Sequence, residues 1–157
     1  MQITSSRKPS AGTRTLCKLL ASFLNCDYFN RGKMGMGEVL DQADGSSLMI
    51  VGEYHGNPGS ISMYDPEGYC VLSLYLSLSA SEKPYPRSGQ AEPFIVGEGE
   101  IASLFSNLFL PDSSENPSYP LKMVISDDRI DFNEDETTLF TLKIRSYRIF
   151  DGGTDCS

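Results

Sequence analysis

Between residues 71 and 79 the chain alternates with period two, Leu72, Leu74, Leu76 and Leu78 against Ser73, Tyr75, Ser77 and Ser79. Successive side chains of an extended chain point to opposite faces, so the run carries an apolar row on one side and a polar row on the other. It is a half-buried strand, and the sheet around it is antiparallel there or faces solvent on one side. At 157 residues with 39% apolar content, the chain is expected to be one domain able to bury a core without metal or disulfides.

Upstream of that strand, residues 2–5 are β-compatible and lead through turn-rich residues into a helix over about 12–24. There Leu16, Leu19, Leu20, Phe23 and Leu24 form one apolar stripe, and Ser10 is placed to cap the first turn. Asp27-Tyr28-Phe29-Asn30 reads as a short strand, residues 31–35 as a loop and about 36–43 as a second helix. Strand, helix and strand in this spacing make a βαβ unit with parallel strands. Ser47 to Tyr54 and Ser60 to Tyr64 read as strands parted by an Asn57-Pro58-Gly59 turn, and Asp65-Pro66-Glu67-Gly68 as the next turn. Residues 81–93 are a linker, after which the pattern restarts. A strand at 94–96 precedes a second helical stripe of Ile101, Leu104, Phe105, Leu108 and Phe109 and then a loop at 111–120. Strands at 121–126, 129–133 and 138–150 follow, with a frayed tail at 151–157. The expected fold class is mixed α/β (α+β), one domain over 1–157 with one or two small sheets and halves of about 1–80 and 94–150.

Charge is distributed unevenly over this frame. The first 37 residues hold Arg7, Lys8, Arg14, Lys18, Arg31 and Lys33 against Asp27 alone, a local charge of +5 in a chain whose net charge is −8. Parallel strands put the loops that follow them on the same sheet edge, so the bases around 6–14 and those of 31–33 are expected to converge there. A helix N-terminus at that edge adds unsatisfied N–H groups and a positive dipole end, a combination suited to phosphate. Arginine grips phosphate through paired donors and lysine acts as a point charge. Lys18 has the least claim of the six. No G-x-x-x-x-G-K-[ST] or G-x-G-x-x-G loop follows the first strand, so a spread polyanion fits better than one pocketed nucleotide. Tyr28 and Phe29, between the basic loops, are candidates for stacking on bases, although packing in the core is the commoner fate of at least one of them.

Other chemistries have less support. Cys17, Cys26, Cys70 and Cys156 form no CxxC pair, and His55 completes no zinc set with them, so they read as thiols of a reducing compartment. The acids Asp127, Asp128, Asp131, Glu134, Asp135 and Glu136 cluster at turn signals, where carboxylates solvate loops. His55 has no nucleophile elbow near it. No metal, cofactor or catalytic set is expected. No apolar run is long enough to span a bilayer and no secretory signal is visible, which points to a cytoplasmic protein.

The opening Thr4-Ser5-Ser6-Arg7-Lys8-Pro9-Ser10 closely resembles the T-S-R-x-P-S start of the Brix-domain family, here with an added serine. Thr13-Arg14, the loop Asn30-Arg31-Gly32-Lys33 and Gly56-Asn57-Pro58-Gly59 extend the resemblance over roughly the first half. The chain departs where eukaryotic members carry Pro-x-Gly-Pro-Thr; here the turn is Asp65-Pro66-Glu67-Gly68-Tyr69, and the lack of long charged extensions resembles the compact archaeal form. The resemblance implies a ribosome-biogenesis factor that assists pre-rRNA processing and subunit assembly and is not an enzyme. It also implies two similar halves, each like the anticodon-binding domain of class II aminoacyl-tRNA synthetases. RNA contact carries over to Arg7, Lys8, Arg14, Arg31 and Lys33, with pre-ribosomal or ribosomal RNA as partner, ribosomal or other ribonucleoprotein proteins as further partners, and a monomeric state. Two rivals stay open: a protein-interaction module that joins a ribonucleoprotein without touching RNA, and a phosphate-handling enzyme.

Overall fold

The computed structural model describes residues 1–87, 93–109 and 120–150. The linker segment 88–92, the loop 110–119, the tail 151–157 and the side chains of Leu108 and Phe109 lie outside the described residues. In chain order the elements are β1 (Gln2–Ser5), α1 (Ala11–Leu24), β2 (Asp27–Tyr28), α2 (Met36–Ala43), β3 (Leu48–Tyr54), β4 (Asn57–Tyr64) and β5 (Cys70–Ala80). They continue with β6 (Phe94–Gly97), α3 (Glu100–Phe109), β7 (Leu121–Ile125), β8 (Arg129–Glu134) and β9 (Thr137–Ile149).

All nine described strands join one sheet in the order β2-β1-β3-β4-β5-β9-β8-β7-β6, in place of one or two small sheets. The period-two strand is its middle member. β5 pairs antiparallel with β9 from Leu72 opposite Ile149 to Ala80 opposite Phe140, with a bulge at Tyr75/Leu76. On either side of that seam the topology repeats. β1 runs parallel to β3 and β6 parallel to β7, and each pair leads into an antiparallel meander ending at the seam. The first half alone, among the described residues, inserts β2 and α2 between its helix and its second long strand.

Alternation decides which face each helix covers. Met49, Val51, Ile61, Met63, Leu72, Leu74 and Leu76 face one side and bury the α1 stripe together with Ile101 and Phe105 of α3. Leu48 and Ile50, the intervening residues of β3, face the other side and pack against Val39 and Ala43 of α2. Phe23 of α1 reaches across the seam, edge-on to Phe132 at 5.0 Å and to Phe140 at 6.1 Å, while those two rings stack at 4.2 Å. Edge-to-face geometry suits the ring quadrupoles and adds to area burial.

Some boundaries differ from the sequence reading. The β3–β4 turn is His55-Gly56, with φ of 51° and 78°, not Asn57-Pro58-Gly59. Positive φ at both central residues matches the twist of the flanking strands in a two-residue hairpin. Pro58 instead sits in β4 opposite Glu53 at an irregularity in the pairing, where its missing donor is tolerated. Strand β2 is only Asp27–Tyr28. Cys17 and Cys26 are free thiols, whereas Cys70 is disulfide-bonded, against the reading of all four as thiols.

Candidate nucleic-acid interface

The two basic loops meet because β1 and β2 are parallel neighbours, Gln2 beside Asp27 and Ile3 beside Tyr28. The join continues past the strands: the Phe29 amide donates to the Ile3 carbonyl at 3.1 Å and the Thr4 hydroxyl to the Phe29 carbonyl at 2.8 Å. Residues after Ser5 and after Tyr28 thus leave the sheet on the same edge. Gly32 turns the second loop at φ 58°, a left-handed conformation that glycine adopts without Cβ strain. Arg31 ties the loops together, its Nε donating to the Met34 carbonyl at 3.0 Å and its guanidinium reaching the Ser5 carbonyl at 3.4 Å.

Between the loops and α1 lies a cleft of about 580 Å³ lined by Lys8, Arg14, Lys18, Arg31 and Lys33, with no carboxylate among its lining residues. The one ion pair among the described residues, Arg129 with Asp131 at 2.8 Å, is in the other half of the chain. Five cations share this space without a paired acid. Burial, with the nearby Arg7 charge adding to it, holds the Arg31 guanidinium below its ordinary value. Like charges confined at a partly desolvated surface raise the local potential, and an anion entering the cleft relieves it.

Sequence-expected site residues separate into three groups. Lys8, Arg14, Arg31 and Lys33 converge as expected, and Lys8 does so with a left-handed backbone at φ 52°. Arg7 does not line the cleft; it is exposed beside it, its Nε donating to the Met34 carbonyl at 3.4 Å. Lys18, with least claim by sequence, is in the cleft. The i, i+4 spacing from Arg14 places both on one helix face, and that face turns toward the loops.

The aromatic pair also divides. Tyr28 lines the cleft, its hydroxyl bonded to Asn30 Oδ1 at 3.1 Å, and burial pushes its phenol above the ordinary value, assisted by Cys17 and opposed by Arg14. Phe29 packs against the α2 cluster and does not line the cleft.

The α1 N-terminus does not serve as an open phosphate site. Ser10 caps the helix as expected, accepting from the Thr13 amide at 3.2 Å. The Ser10 amide itself donates to the Glu53 carboxylate from the end of β3. That bond, with support from the Ser10 and Thr13 side chains, holds Glu53 below the usual carboxylate range. An acid of the chain's own lies where a phosphate would approach the Ser10 amide, so the positive character of this edge comes from side chains. No local signal could have revealed Glu53, which lies 43 residues from Ser10 in sequence.

Three of the second-half acids, Asp128, Asp131 and Glu134, have partners within the chain. Thr141 and Arg129 both donate to Asp131, at 2.7 and 2.8 Å, the Ser126 hydroxyl donates to Asp128, and the Glu134 carboxylate accepts from the Arg87 amide at 2.8 Å. Among the described residues no group of three or more His, Cys, Asp or Glu is placed to hold a metal ion, and no helix is long and apolar enough to cross a membrane.

Comparison with known proteins adds an independent line. No family model matches the chain. A protein of Methanococcoides burtonii, named a probable Brix domain-containing ribosomal biogenesis protein, is 44% identical over 151 residues, covering 94% of this chain and 96% of the relative. One of Methanosarcina barkeri with the same name is 43% identical over 156 residues, covering 94% and 99%. Among solved structures, that of Mil, an archaeal Imp4-like protein, superposes with a TM-score of 0.77 at 26% identity over 96% of this chain and 99% of the other. A probable ribosomal biogenesis protein from Aeropyrum pernix shares the fold, with a TM-score of 0.73 at 23% identity over 91% and 93%.

Proposed function

Since the chain belongs to the Brix domain-containing ribosomal biogenesis proteins, we propose that it is an RNA-binding assembly factor that grips the phosphate backbone of pre-ribosomal RNA in the basic cleft. The observation that carries this reading is the convergence of Lys8, Arg14, Lys18, Arg31 and Lys33 on one acid-free cleft in a chain of net charge −8. Phosphate contacts fix register and orientation but carry little sequence information, which suits a factor that holds a folded precursor during processing and assembly. Arg7, exposed on the rim, meets RNA as it enters. The acidic remainder of the surface repels the backbone elsewhere and confines it to this edge. The role is one of binding, without catalysis, by a monomer in the cytoplasm, and the halves 1–80 and 94–150 are two versions of one structural unit.

Salt dependence of RNA binding tests the proposal. Five neutralised phosphates give a slope of log K against log salt of about −3.5 on single-stranded RNA. Replacing Lys8, Arg14, Lys18 and Lys33 together by Ala, and keeping Arg31 because it ties the loops, should flatten the slope and lower affinity without changing the fold. A wild-type slope near zero, or variant affinity equal to wild type, would refute it. RNA-independent capture of a ribonucleoprotein by the quadruple variant would favour the protein-interaction reading instead.

A further inference from the structure

A second cleft opens on the opposite flank of α1 and is not used by the phosphate reading. It has a volume of about 820 Å³ and is bounded by Gly12 and Thr15 of α1, the β3–β4 hairpin with Tyr54, His55 and Pro58, and the β5–β9 seam at Tyr75 and Arg145. Two large aromatic residues at its boundary stand open to solvent, Tyr54 at 68% and Tyr75 at 55% exposure. Their exposure is notable in a chain that buries Phe23, Phe105, Phe132 and Phe140 almost completely. The Tyr54 and His55 rings meet edge-on at 4.2 Å between centroids. Arg145 falls where the β5–β9 register slips, between Ser146 opposite Tyr75 and Ile144 opposite Leu76, and it makes no ion pair among the described residues.

We infer that this cleft takes an unpaired nucleobase of the RNA strand whose phosphates lie in the basic cleft. The inference rests on the proposed function and extends it from backbone grip to base contact. The two clefts share α1: Arg14 and Lys18 line one, Gly12 and Thr15 the other. A helix with its side chains is only about 10–12 Å across, a span about two nucleotides of extended strand can bridge. A strand crossing α1 passes from a site made of cations to one lined by Tyr54, His55 and Tyr75 together with Asn57, Leu76, Leu78 and a single arginine. That order of chemistries matches a polymer with an anionic backbone and planar bases. Aromatic rings and guanidinium planes accept any base by stacking, so the contact adds affinity without demanding a sequence. A peptide fits less well. It gains most by adding a strand to a free sheet edge, and β4, β5 and β9 here are interior strands with both neighbours in place.

An adenosine RNA octamer and the same octamer with abasic residues throughout present the same phosphates and differ only in bases. The full chain should bind the base-bearing octamer about tenfold more tightly, with equal salt slopes for the two. Tyr54→Ala should abolish that preference while leaving the slope intact, and Arg145→Ala should reduce the preference, again without changing the slope, because its guanidinium stacks on the base and neutralises no phosphate. Equal affinity for the two octamers, with a normal salt slope, overturns the base site and leaves the phosphate reading standing. A preference that survives Tyr54→Ala and is lost in Tyr28→Ala places the base in the basic cleft and also overturns it. Tyr54 resonances that shift with an apolar octapeptide and with neither RNA assign the cleft to a protein partner. Binding of both octamers without salt dependence refutes the phosphate reading itself.

Discussion

Lys18 is where sequence and structure disagree most directly about the site, so Lys18→Ala is the sharpest single substitution. The residue is exposed on α1 four positions after Arg14 and lines the basic cleft. If it neutralises one phosphate, its loss removes about 0.7 from a single-strand salt slope, taking it from about −3.5 to about −2.8. Because affinity scales with salt raised to that slope, one lost contact at 0.1 M salt weakens binding about fivefold, or about 1 kcal/mol. Folding should respond in the other direction. Alanine is at least as good a helix former as lysine, and removing one of two like charges at i, i+4 relieves repulsion, so stability should hold or rise by a few tenths of a kcal/mol. Fluorescence anisotropy of a labelled RNA oligonucleotide across a salt series, beside urea unfolding of the same samples, separates the two effects. An unchanged slope would take Lys18 out of the RNA path and leave four cleft bases to carry the affinity. A lower slope accompanied by lost stability would show that the substitution had disturbed α1, refuting the claim that Lys18 acts on the ligand alone.

Three further substitutions or modifications test the frame that holds the cleft. Glu53 titrates below its ordinary 4.5 in the folded chain, so it contributes stability that is present above that pH and lost as pH falls through its folded value. Glu53→Gln should therefore be less sensitive to acid than wild type in urea titrations below pH 4.5, and parallel curves would exclude the cap. Phe23→Ala should cost about 3–5 kcal/mol in the same assay, because the side chain is fully buried between the two halves and its loss leaves a cavity against Phe132 and Phe140; a cost under about 1 kcal/mol would mean that the halves do not depend on this contact. Burial pushes the Cys17 thiol up to about 12, so a thiol reagent at pH 8 should leave it unlabelled in the native protein and label it after denaturation, as read by peptide mapping.

What was legible in the sequence was local. The Leu/Ser alternation at 71–79 fixes a half-buried strand because period two is a property of consecutive residues. The α1 stripe and the Ser10 cap are legible for the same reason, and parallel pairing of β1 with β2 follows from a short crossover. What failed was decided at a distance. Nothing near residue 75 announces that its strand pairs with β9, so the local pattern fits one or two small sheets as readily as one continuous sheet. The hairpin turn was assigned to Asn57-Pro58-Gly59, the stronger turn formers, but register between β3 and β4 places it at His55-Gly56. Tyr28 and Phe29 are neighbours and point opposite ways. Which of them faces solvent depends on where α2 lands, and α2 covers Phe29. Glu53 shows the same limit, since a β3 carboxylate caps a helix that begins 42 residues earlier only because the sheet brings them together.

The repeated topology makes the charge asymmetry interpretable. In the first half the chain leaves β1 through Arg7 and Lys8, enters α1 and meets the Glu53 carboxylate at the helix start. In the second half it leaves β6 through Glu98, enters α3 at Glu100 and meets Asp127, the carboxylate of the β7–β8 turn. Gly99, at φ 110°, stands so close that a Cβ there would come within 2.6 Å of the Asp127 carboxylate. Both halves thus bring an acid from a hairpin to the start of their helix, and that device belongs to the common frame. The bases do not. Arg31 and Lys33 lie on the β2–α2 insertion, 23 residues between α1 and β3, whereas 11 residues separate α3 from β7 and carry Asp112 and Glu115 with no Lys or Arg. One sheet edge gathers Lys8, Arg31 and Lys33, whereas the counterpart turn from β6 into α3 carries Glu98 and Glu100 and faces Asp127. If the cleft holds RNA as proposed, its affinity follows the inserted loop and the Arg14–Lys18 helix face, on the side of the sheet where the chain's cations gather.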